Sequence, residues 1–288
     1  MKTCKELIDH IELNQIDKTT FEGFSISVGS EAVFGGQALA QALNAAYRTV
    51  PEDRTCHSLH SYFLLRGDLT QPILYKVQLI RDGGSFTTRY VTAEQEGKII
   101  FVMAASFQAK EEGYDFQSIM PTATPPDELM SWEDIYEQTK DILPKAMTRF
   151  LGLERPIIFK PTSIINPLAP EDSEPIDNIW FKIKDVEKGV SLAHLQQMLA
   201  YVSDYNILFA ALRPHASTAN FSNMQLASLD HAMWFHREPE DYSGWFLYNL
   251  EVMSNSNARG LVTGKIYSEK GELIATTTQE GLMRNLRK

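Results

Sequence analysis

The chain has 288 residues, of which 43% are hydrophobic and 22% are charged, a composition typical of a folded globular protein with one large domain or two of ordinary size. No apolar run is long enough to span a membrane, and residues 1–15 lack the apolar core of a signal peptide. A net charge of −10 with no basic stripe argues against nucleic-acid binding, and two cysteines cannot form a disulfide framework. We therefore expect a cytoplasmic protein that binds neither membrane nor nucleic acid.

The first part of the chain, residues 1–112, predicts one α+β unit. A short amphipathic helix precedes residues 21–29, whose alternating hydrophobicity predicts a strand that ends at Gly29. An Ala- and Leu-rich stretch begins at Gly35 and Gly36 and predicts a packed helix that stops before Pro51. Alternating segments separated by glycine-containing turns then predict four strands.

Residues 113–155 are the predicted linker. Nine of the 13 prolines lie between Pro121 and Pro175, so this region differs in composition from the rest of the chain. Within this region residues 127–151 have a helical pattern, and we expect a break near Pro144. The linker should therefore be a surface connection that contains one or two helices.

The last part of the chain, residues 156–288, repeats the order of the first: a strand, a helix and four strands. Its helix, predicted over residues 195–212, is apolar on nearly all of its circumference, which is typical of a helix wrapped by other structure. Residues 58–63 resemble residues 228–235, and the two halves also match around their later hairpins. An internal duplication of an α+β unit with an antiparallel sheet accounts for this repeat.

Three polar features of the second half have no counterpart in the first. Asp204 lies in the middle of the predicted buried helix, Ser228 begins a strand, and Gln279 closes the last strand. An isolated buried carboxylate costs several kcal/mol unless it is hydrogen-bonded or protonated. A carboxylate, a hydroxyl and a carboxamide together can hold a water molecule and deprotonate it. We therefore predict a catalytic site at these residues; the alternative is that Asp204 occupies a narrow solvent-facing strip.

Other combinations of these residue types are less favoured. Ser228, Asp230 and His231 contain the elements of a nucleophilic triad, but strict strand alternation places His231 on the face opposite the other two. The sequence also has no G-x-S-x-G elbow. His57 and His60 lie three apart on one strand and are interpreted as structural.

Neither a phosphate-binding loop nor a metal site is predicted. Gly35 and Gly36 lack the Lys-Ser/Thr of a P-loop, although this helix start could offer backbone N–H groups to a carbonyl oxygen or a phosphate. No Cys/His cluster has the spacing of a zinc site. These residues therefore predict neither a P-loop nor a zinc site; the family resemblance described next implies that there is no metal and no cofactor.

Several motifs together resemble one known family over nearly the whole chain, in the same order. They are VFGGQALAQAL, HSLHSYFL, RDGGSFTTR, SLDHAMWFHR, SNARG and TTTQEGLMRN. They resemble the bacterial acyl-CoA thioesterase II family, which is similar to the peroxisomal acyl-CoA thioesterases. The resemblance implies an α+β double hotdog, with two tandem units that each wrap an antiparallel sheet around a long helix. It also implies hydrolysis of acyl-CoA to free fatty acid and coenzyme A without a cofactor.

The resemblance places the catalytic residues of the family on Asp204, Ser228 and Gln279, where the family often has Thr in place of Ser228. Asp204 would activate a water aligned by the other two; direct attack by Asp204 to give a mixed anhydride is the alternative mechanism. A homo-oligomer, dimer or tetramer, is expected. The residues that bind the substrate are not identified.

Two other functions stay open: a non-catalytic acyl-CoA binding protein and a hotdog-type enoyl-CoA hydratase or dehydratase. A binding protein has little use for a buried Asp with hydroxyl and amide partners. A hydratase of this architecture needs an Asp/His pair, and the chain after Asp204 has no histidine before His215.

Overall fold

A computed structural model describes residues 1–142, 148, 151–166, 169–220 and 223–286. This part of the chain forms a 13-stranded sheet in which every pairing is antiparallel. The α-helices are α1 Cys4–Ile11, α2 Gly35–Tyr47, α3 Trp132–Thr139, α4 Leu192–Ser203 and α5 Ile207–Ala210. The strands are β1 Asn14–Gln15, β2 Thr20–Gly23, β3 Arg54–Phe63, β4 Ile73–Asp82, β5 Phe86–Gln95, β6 Lys98–Ala109, β7 Ile157–Pro161, β8 Ile176–Ile183, β9 Met224–Ser228, β10 Asp230–Phe235, β11 Phe246–Ser256, β12 Arg259–Ser268 and β13 Leu273–Asn285.

The sheet consists of two halves that meet in its middle. Strands β1 to β6 form one half and β7 to β13 the other, and β3 pairs with β10 to join them. Helices α2 and α4, one from each half, pack against each other, and the strands of the first half contact α2. The duplicated α+β unit is therefore a double hotdog, as the resemblance implied.

Small side chains let the two central helices pack closely. Helix α2 is buried from Gly36 to Ala46, and five of these residues are alanines. Interaxial distance depends on the side chains at the contact, so an alanine-rich helix can lie near its neighbour. This packing brings the start of α2 next to the end of α4, where the candidate site lies.

The predicted single helix over residues 195–212 is wrong. Helix α4 ends at Ser203, and Asp204 is its C-terminal cap. The backbone then enters the left-handed region at Asn206, with φ of 68°, before the short helix α5. Asparagine adopts this conformation more readily than other non-glycine residues, so it ends the helix here. Asp204 therefore stands at a helix end and not in the middle of a helix.

Only part of the predicted linker lies within the described residues. Helix α3 covers eight residues of the predicted 127–151, and residues 143–147 and 149–150, including the expected break at Pro144, lie outside the described residues. Upstream of α3, the side chain of Gln117 donates a hydrogen bond to Gly271 O (2.7 Å), so this part of the linker contacts the second half.

The strand predicted at residues 21–29 is shorter in the structure, because β2 ends at Gly23. Within the described ranges, no helix is long and apolar enough to cross a membrane.

Candidate active site

The Asp204 carboxylate lies where the end of α4 meets the start of α2. The backbone N–H of Gly36 donates to Asp204 Oδ2 at 2.9 Å, so the positive end of the α2 dipole faces the carboxylate. A Cβ on Gly35 would lie 2.6 Å from the same oxygen, and a Cβ on Gly36 would lie 2.3 Å from the carbonyl oxygen of Tyr201. Only glycines permit this approach. The start of this helix was predicted to offer N–H groups to a carbonyl oxygen or a phosphate. One of these groups, the N–H of Gly36, instead binds Asp204.

The structure brings Ser228 and Gln279 to the same carboxylate. Ser228 Oγ donates to Asp204 Oδ1 at 3.3 Å, and Gln279 Nε2 donates to Ser228 Oγ at 2.9 Å. Gln279 is 1% exposed, whereas Asp204 and Ser228 are half-buried and keep part of their surface open. The three residues singled out in the sequence therefore form one hydrogen-bonded chain that runs from Gln279 in the interior to the Asp204 carboxylate.

A β-bulge between β9 and β10 determines which side chains reach this site. Ser228 pairs with Gly281 and Ala232 pairs with Thr278, so four steps along one strand match three along the other. The extra residue shifts the alternation, and Ser228 and His231 both hydrogen-bond to Gln279. The predicted opposite facing of Ser228 and His231 is therefore wrong.

Asp230 supports the bulge and has no role as a triad acid. Its Oδ1 accepts the backbone N–H of Glu280 at 2.7 Å, a group that the bulge takes out of the regular ladder. His231 bonds Gln279 and Ser203, not Ser228. These contacts do not form the Ser-His-Asp relay of a nucleophilic triad.

His231 belongs to this site, although strand alternation predicted that it faces away from Ser228. It is 1% exposed; Nδ1 lies 2.5 Å from Gln279 Oε1, and Nε2 lies 3.0 Å from Ser203 Oγ. His231 enters from a strand and not from the segment that follows Asp204. A one-residue bulge leaves no clear mark in hydrophobic alternation, so the pattern placed His231 on the wrong face.

Burial shifts the pKa values of the two titratable groups in opposite directions. Desolvation raises the pKa of Asp204; the charge of His231 and hydrogen bonds from Gln279, Gly36 and Ser228 oppose this shift. Desolvation lowers the pKa of His231, and the nearby Asp204 charge opposes it. Burial is the largest cause of both pKa shifts. The pKa of His231 therefore lies below its ordinary value, and its ring is neutral at neutral pH.

The other candidate groups of the sequence lie elsewhere. His57 is half-buried and hydrogen-bonds Ser106 Oγ at 2.8 Å, and His60 is exposed with its ring against Trp234. Both belong to the sheet and have no contact with Asp204. Across the described residues, no group of three or more His, Cys, Asp or Glu side chains could hold a metal ion.

An aromatic cluster flanks the carboxylate. Phe34 packs against Tyr201 and Tyr205, the residues on either side of the end of α4, with ring centroids 5.2 Å and 4.5 Å apart. Tyr201 and Tyr205 also line a cleft whose other apolar walls include Ile26, Val28 and Leu153. The cleft also has polar walls, at Ser27, Glu154 and Arg155.

Comparison with known proteins identifies a family for both halves. A model described as acyl-CoA thioesterase matches residues 152–282, and one described as acyl-CoA thioesterase N-terminal domain matches residues 25–108. Acyl-CoA thioesterase 2 of Haemophilus influenzae is 37% identical over 96% of this chain and 96% of its own length. Acyl-coenzyme A thioesterase 8 of Homo sapiens is 38% identical, with coverage of 95% and 87%.

A solved structure agrees with these relatives. The acyl-CoA thioesterase II TesB2 from Mycobacterium marinum superposes with a TM-score of 0.79 at 34% identity, covering 97% of this chain and 98% of that one. Sequence and fold thus agree from end to end, and the chain belongs to the acyl-CoA thioesterase family, as a hydrolase of thioesters.

Proposed function

We propose that this enzyme hydrolyses acyl-CoA to a free fatty acid and coenzyme A with a water molecule that Asp204 activates. The observation that carries the proposal is the chain of hydrogen bonds from Gln279 through Ser228 to Asp204. A raised pKa makes Asp204 a stronger base than an ordinary aspartate, while Gly36 and Ser228 keep its position fixed. The substrate water would lie against Asp204, oriented by Ser228 and Gln279.

The steps balance without a cofactor. Asp204 takes one proton from water as the water oxygen attacks the thioester carbonyl carbon. The carbonyl oxygen becomes negative and is stabilised by N–H donors, namely the Gln279 amide or a backbone N–H at the start of α2. The tetrahedral intermediate then breaks its C–S bond, and the proton held by Asp204 passes to the departing sulfur.

Direct attack by Asp204 is the competing mechanism. It would form a mixed anhydride between the carboxylate and the acyl group, which water then hydrolyses. A single turnover in ¹⁸O-labelled water detects the anhydride route when water opens the anhydride at the Asp204 carbonyl carbon. We expect the label only in the fatty acid; label in the Asp204 carboxylate would favour the anhydride.

The proposed roles of Ser228 and Gln279 are tested by a double-mutant cycle. Ser228→Ala and Gln279→Ala should each lower kcat strongly, and the double variant should lose little more, because both residues act on one water. The assay is release of free thiol from acyl-CoAs of C4 to C18 length. Fully additive losses would mean that the two side chains have separate roles.

We propose that the acyl chain passes beside the aromatic cluster, where Val28, Leu153 and Tyr205 line a narrow cleft. The other walls of this cleft include the polar residues Ser27, Glu154 and Arg155. Leu153→Trp would narrow this cleft and should lower kcat/KM for long acyl chains more than for short ones. An equal loss for all lengths would place the acyl chain elsewhere.

Neither of the other functions gains support from the site. A hydratase would need a histidine that touches substrate, but both ring nitrogens of His231 are bonded to protein groups. A binding protein that does not hydrolyse its ligand would release no thiol in the same assay.

The metabolic role, the cellular location and the oligomeric state of the enzyme are also proposals. A role in fatty acid metabolism in the cytoplasm agrees with the substrate class, and cell fractionation would test the location. We propose a homo-oligomer, dimer or tetramer, as the family resemblance implies; Tyr62 of the central strand β3, which is 59% exposed, offers a position at which to test it. Light scattering of the protein and of Tyr62→Arg would measure the assembly.

A further inference from the structure

His231 holds a hydrogen bond to Gln279 that the proposed hydrolysis leaves unexplained. The ring is buried, and it connects the amide of Gln279 with the hydroxyl of Ser203 at the end of α4. The ring does not contact Asp204 by a hydrogen bond in the described residues. Its influence on the reaction must therefore pass through Gln279.

The proton count around His231 determines the orientation of the Gln279 amide. A neutral imidazole carries one proton, so one nitrogen donates and the other accepts. If Nδ1 carries the proton, Gln279 must present its oxygen to the ring. If Nε2 carries it, Nδ1 needs a donor, and Gln279 must turn its nitrogen towards the ring.

The two amide orientations have different consequences for the carboxylate. With its oxygen on His231, Gln279 points its nitrogen at Ser228 Oγ, so the Ser228 proton is free to bond Asp204. In the reversed orientation the Gln279 oxygen would accept that proton, and Asp204 would lose its hydroxyl donor. The amide N–H groups would also leave the side of the site where the oxyanion forms.

We propose that His231 is a positioning residue: its Nδ1–H donates to Gln279 Oε1 and so fixes the Gln279 amide with the nitrogen towards Ser228. Ser203 Oγ donates to Ala200 O at 2.9 Å and also lies 3.0 Å from Nε2, so it does not itself select the tautomer. The tautomer follows from Gln279, whose oxygen lies 2.5 Å from Nδ1 and whose nitrogen donates to Ser228 Oγ. The inference rests on the proposed role of Gln279 in hydrolysis.

Two isosteric variants test which ring nitrogen matters. His231→Asn puts an amide nitrogen near the position of Nδ1, whereas His231→Gln puts one near Nε2 and leaves the Nδ1 position empty. His231→Gln should lower kcat by about 10-fold to 100-fold, the usual effect of losing a group that orients an active-site ligand. His231→Asn should recover most of this loss, and KM should be unchanged in both variants because His231 does not touch substrate.

A matched control and a double variant separate positioning from packing. His60→Gln makes the same replacement at an exposed histidine that packs on Trp234, and it should leave kcat unchanged. In a Gln279→Ala background, His231→Gln should cause no further loss of kcat. Equal kcat for His231→Gln, His231→Asn and the wild type, with only the melting temperature lowered, would overturn the proposal.

The tautomer itself can be measured on the unaltered protein, independently of whether any variant folds. The ¹⁵N shifts of labelled histidine should show a protonated Nδ1 and a bare Nε2 at His231; the opposite pattern would overturn the proposal. If Gln279→Ala retains full turnover, the proposed role of Gln279 in hydrolysis fails, and the role of His231 that rests on it fails as well. If Gln279→Ala is inactive and His231→Gln is not impaired, only the role of His231 fails.

Discussion

Asp204 places a negative charge where burial opposes ionisation. Its neighbours Gly36, Ser228 and Gln279 offset the desolvation only in part, because the net shift of the Asp204 pKa is upward. A residue retained for folding alone would not need this charge. A substitution at Asp204 can therefore separate an effect on catalysis from an effect on folding stability.

Replacement of Asp204 by Asn tests this distinction. Asp204→Asn keeps the shape and hydrogen-bonding capacity but removes the charge, so turnover should fall by about 100-fold or more, as for loss of a general base. The free energy of unfolding should be unchanged or higher, because an unfavourable buried charge is gone. Thiol release and thermal melting of the same preparation measure both. Near-normal turnover together with lost stability would assign Asp204 a structural role.

The pH dependence of this variant has a definite sign. The folded-state pKa of Asp204 is raised, so ionising it costs folding free energy, and its contribution to stability is lost as pH rises through the folded pKa. The stability gain of Asp204→Asn should therefore be absent below about pH 4, near the unfolded value of Asp, and grow above it. Denaturant unfolding at several pH values measures this difference; a gain that shrinks with rising pH would contradict it.

The activity of the wild type should fall at acid pH, because Asp204 becomes protonated there and can no longer act as the base. kcat/KM should fall with an apparent pKa above the ordinary aspartate value of about 3.9, because the free enzyme must have Asp204 ionised. The residual activity of Asp204→Asn should lack this limb. An acid limb that persists in the variant would identify another base.

At the scale of elements, the bulge between β9 and β10 is what assembles the site. Without the extra residue, regular alternation would turn either Ser228 or His231 away from Gln279. Asp230 stabilises the bulge by accepting the Glu280 N–H. The geometry of the reacting groups thus depends on a residue that does not touch them.

A pair of substitutions at Asp230 tests this dependence. Asp230→Ala leaves the Glu280 N–H without its acceptor and should lower both the melting temperature and kcat. Asp230→Asn retains an acceptor oxygen and should behave nearly as the wild type, because the hydrogen bond and not the charge holds the bulge. Thermal melting and thiol release measure the two effects. An inactive but stable Asp230→Asn would instead point to a role for the charge.

At the scale of the molecule, the site belongs to both halves. The first half supplies the Gly36 N–H and the second supplies Asp204, Ser228 and Gln279. The β3–β10 pairing and the α2–α4 contact hold the halves together without the linker. One half of the duplication therefore supplies the side chains of the candidate site, and the other half supplies the helix start that faces them.

Cleavage of the linker tests whether the halves hold themselves together. Gly113 is exposed, and a Cβ there would meet nothing within 4 Å, so a protease site inserted at this point should be tolerated. After cleavage, turnover should persist and the two fragments should stay associated, because the sheet and helix contacts remain. Gel filtration with thiol release measures both. The 156–288 fragment produced alone should be inactive, since it lacks α2.

The sequence by itself determined the duplicated α+β architecture and the buried central helices, and it singled out Asp204, Ser228 and Gln279 as the candidate site. Hydrophobic periodicity reports which faces are buried, and the matched segments report the repeat. The polar residues without a counterpart in the first half stood out because burial of such groups is expensive. These features are local or compositional, so a single chain reveals them.

The tertiary structure alone decided how the site is built. Helix α4 ends at Ser203 because Asn206 adopts a left-handed conformation, although the apolar pattern continues past it. His231 joins Gln279 because one extra residue in β9–β10 shifts the alternation. Gly36 meets Asp204 across 168 residues of sequence. Backbone irregularities and long-range contacts depend on pairing partners, and hydrophobic periodicity does not contain that information.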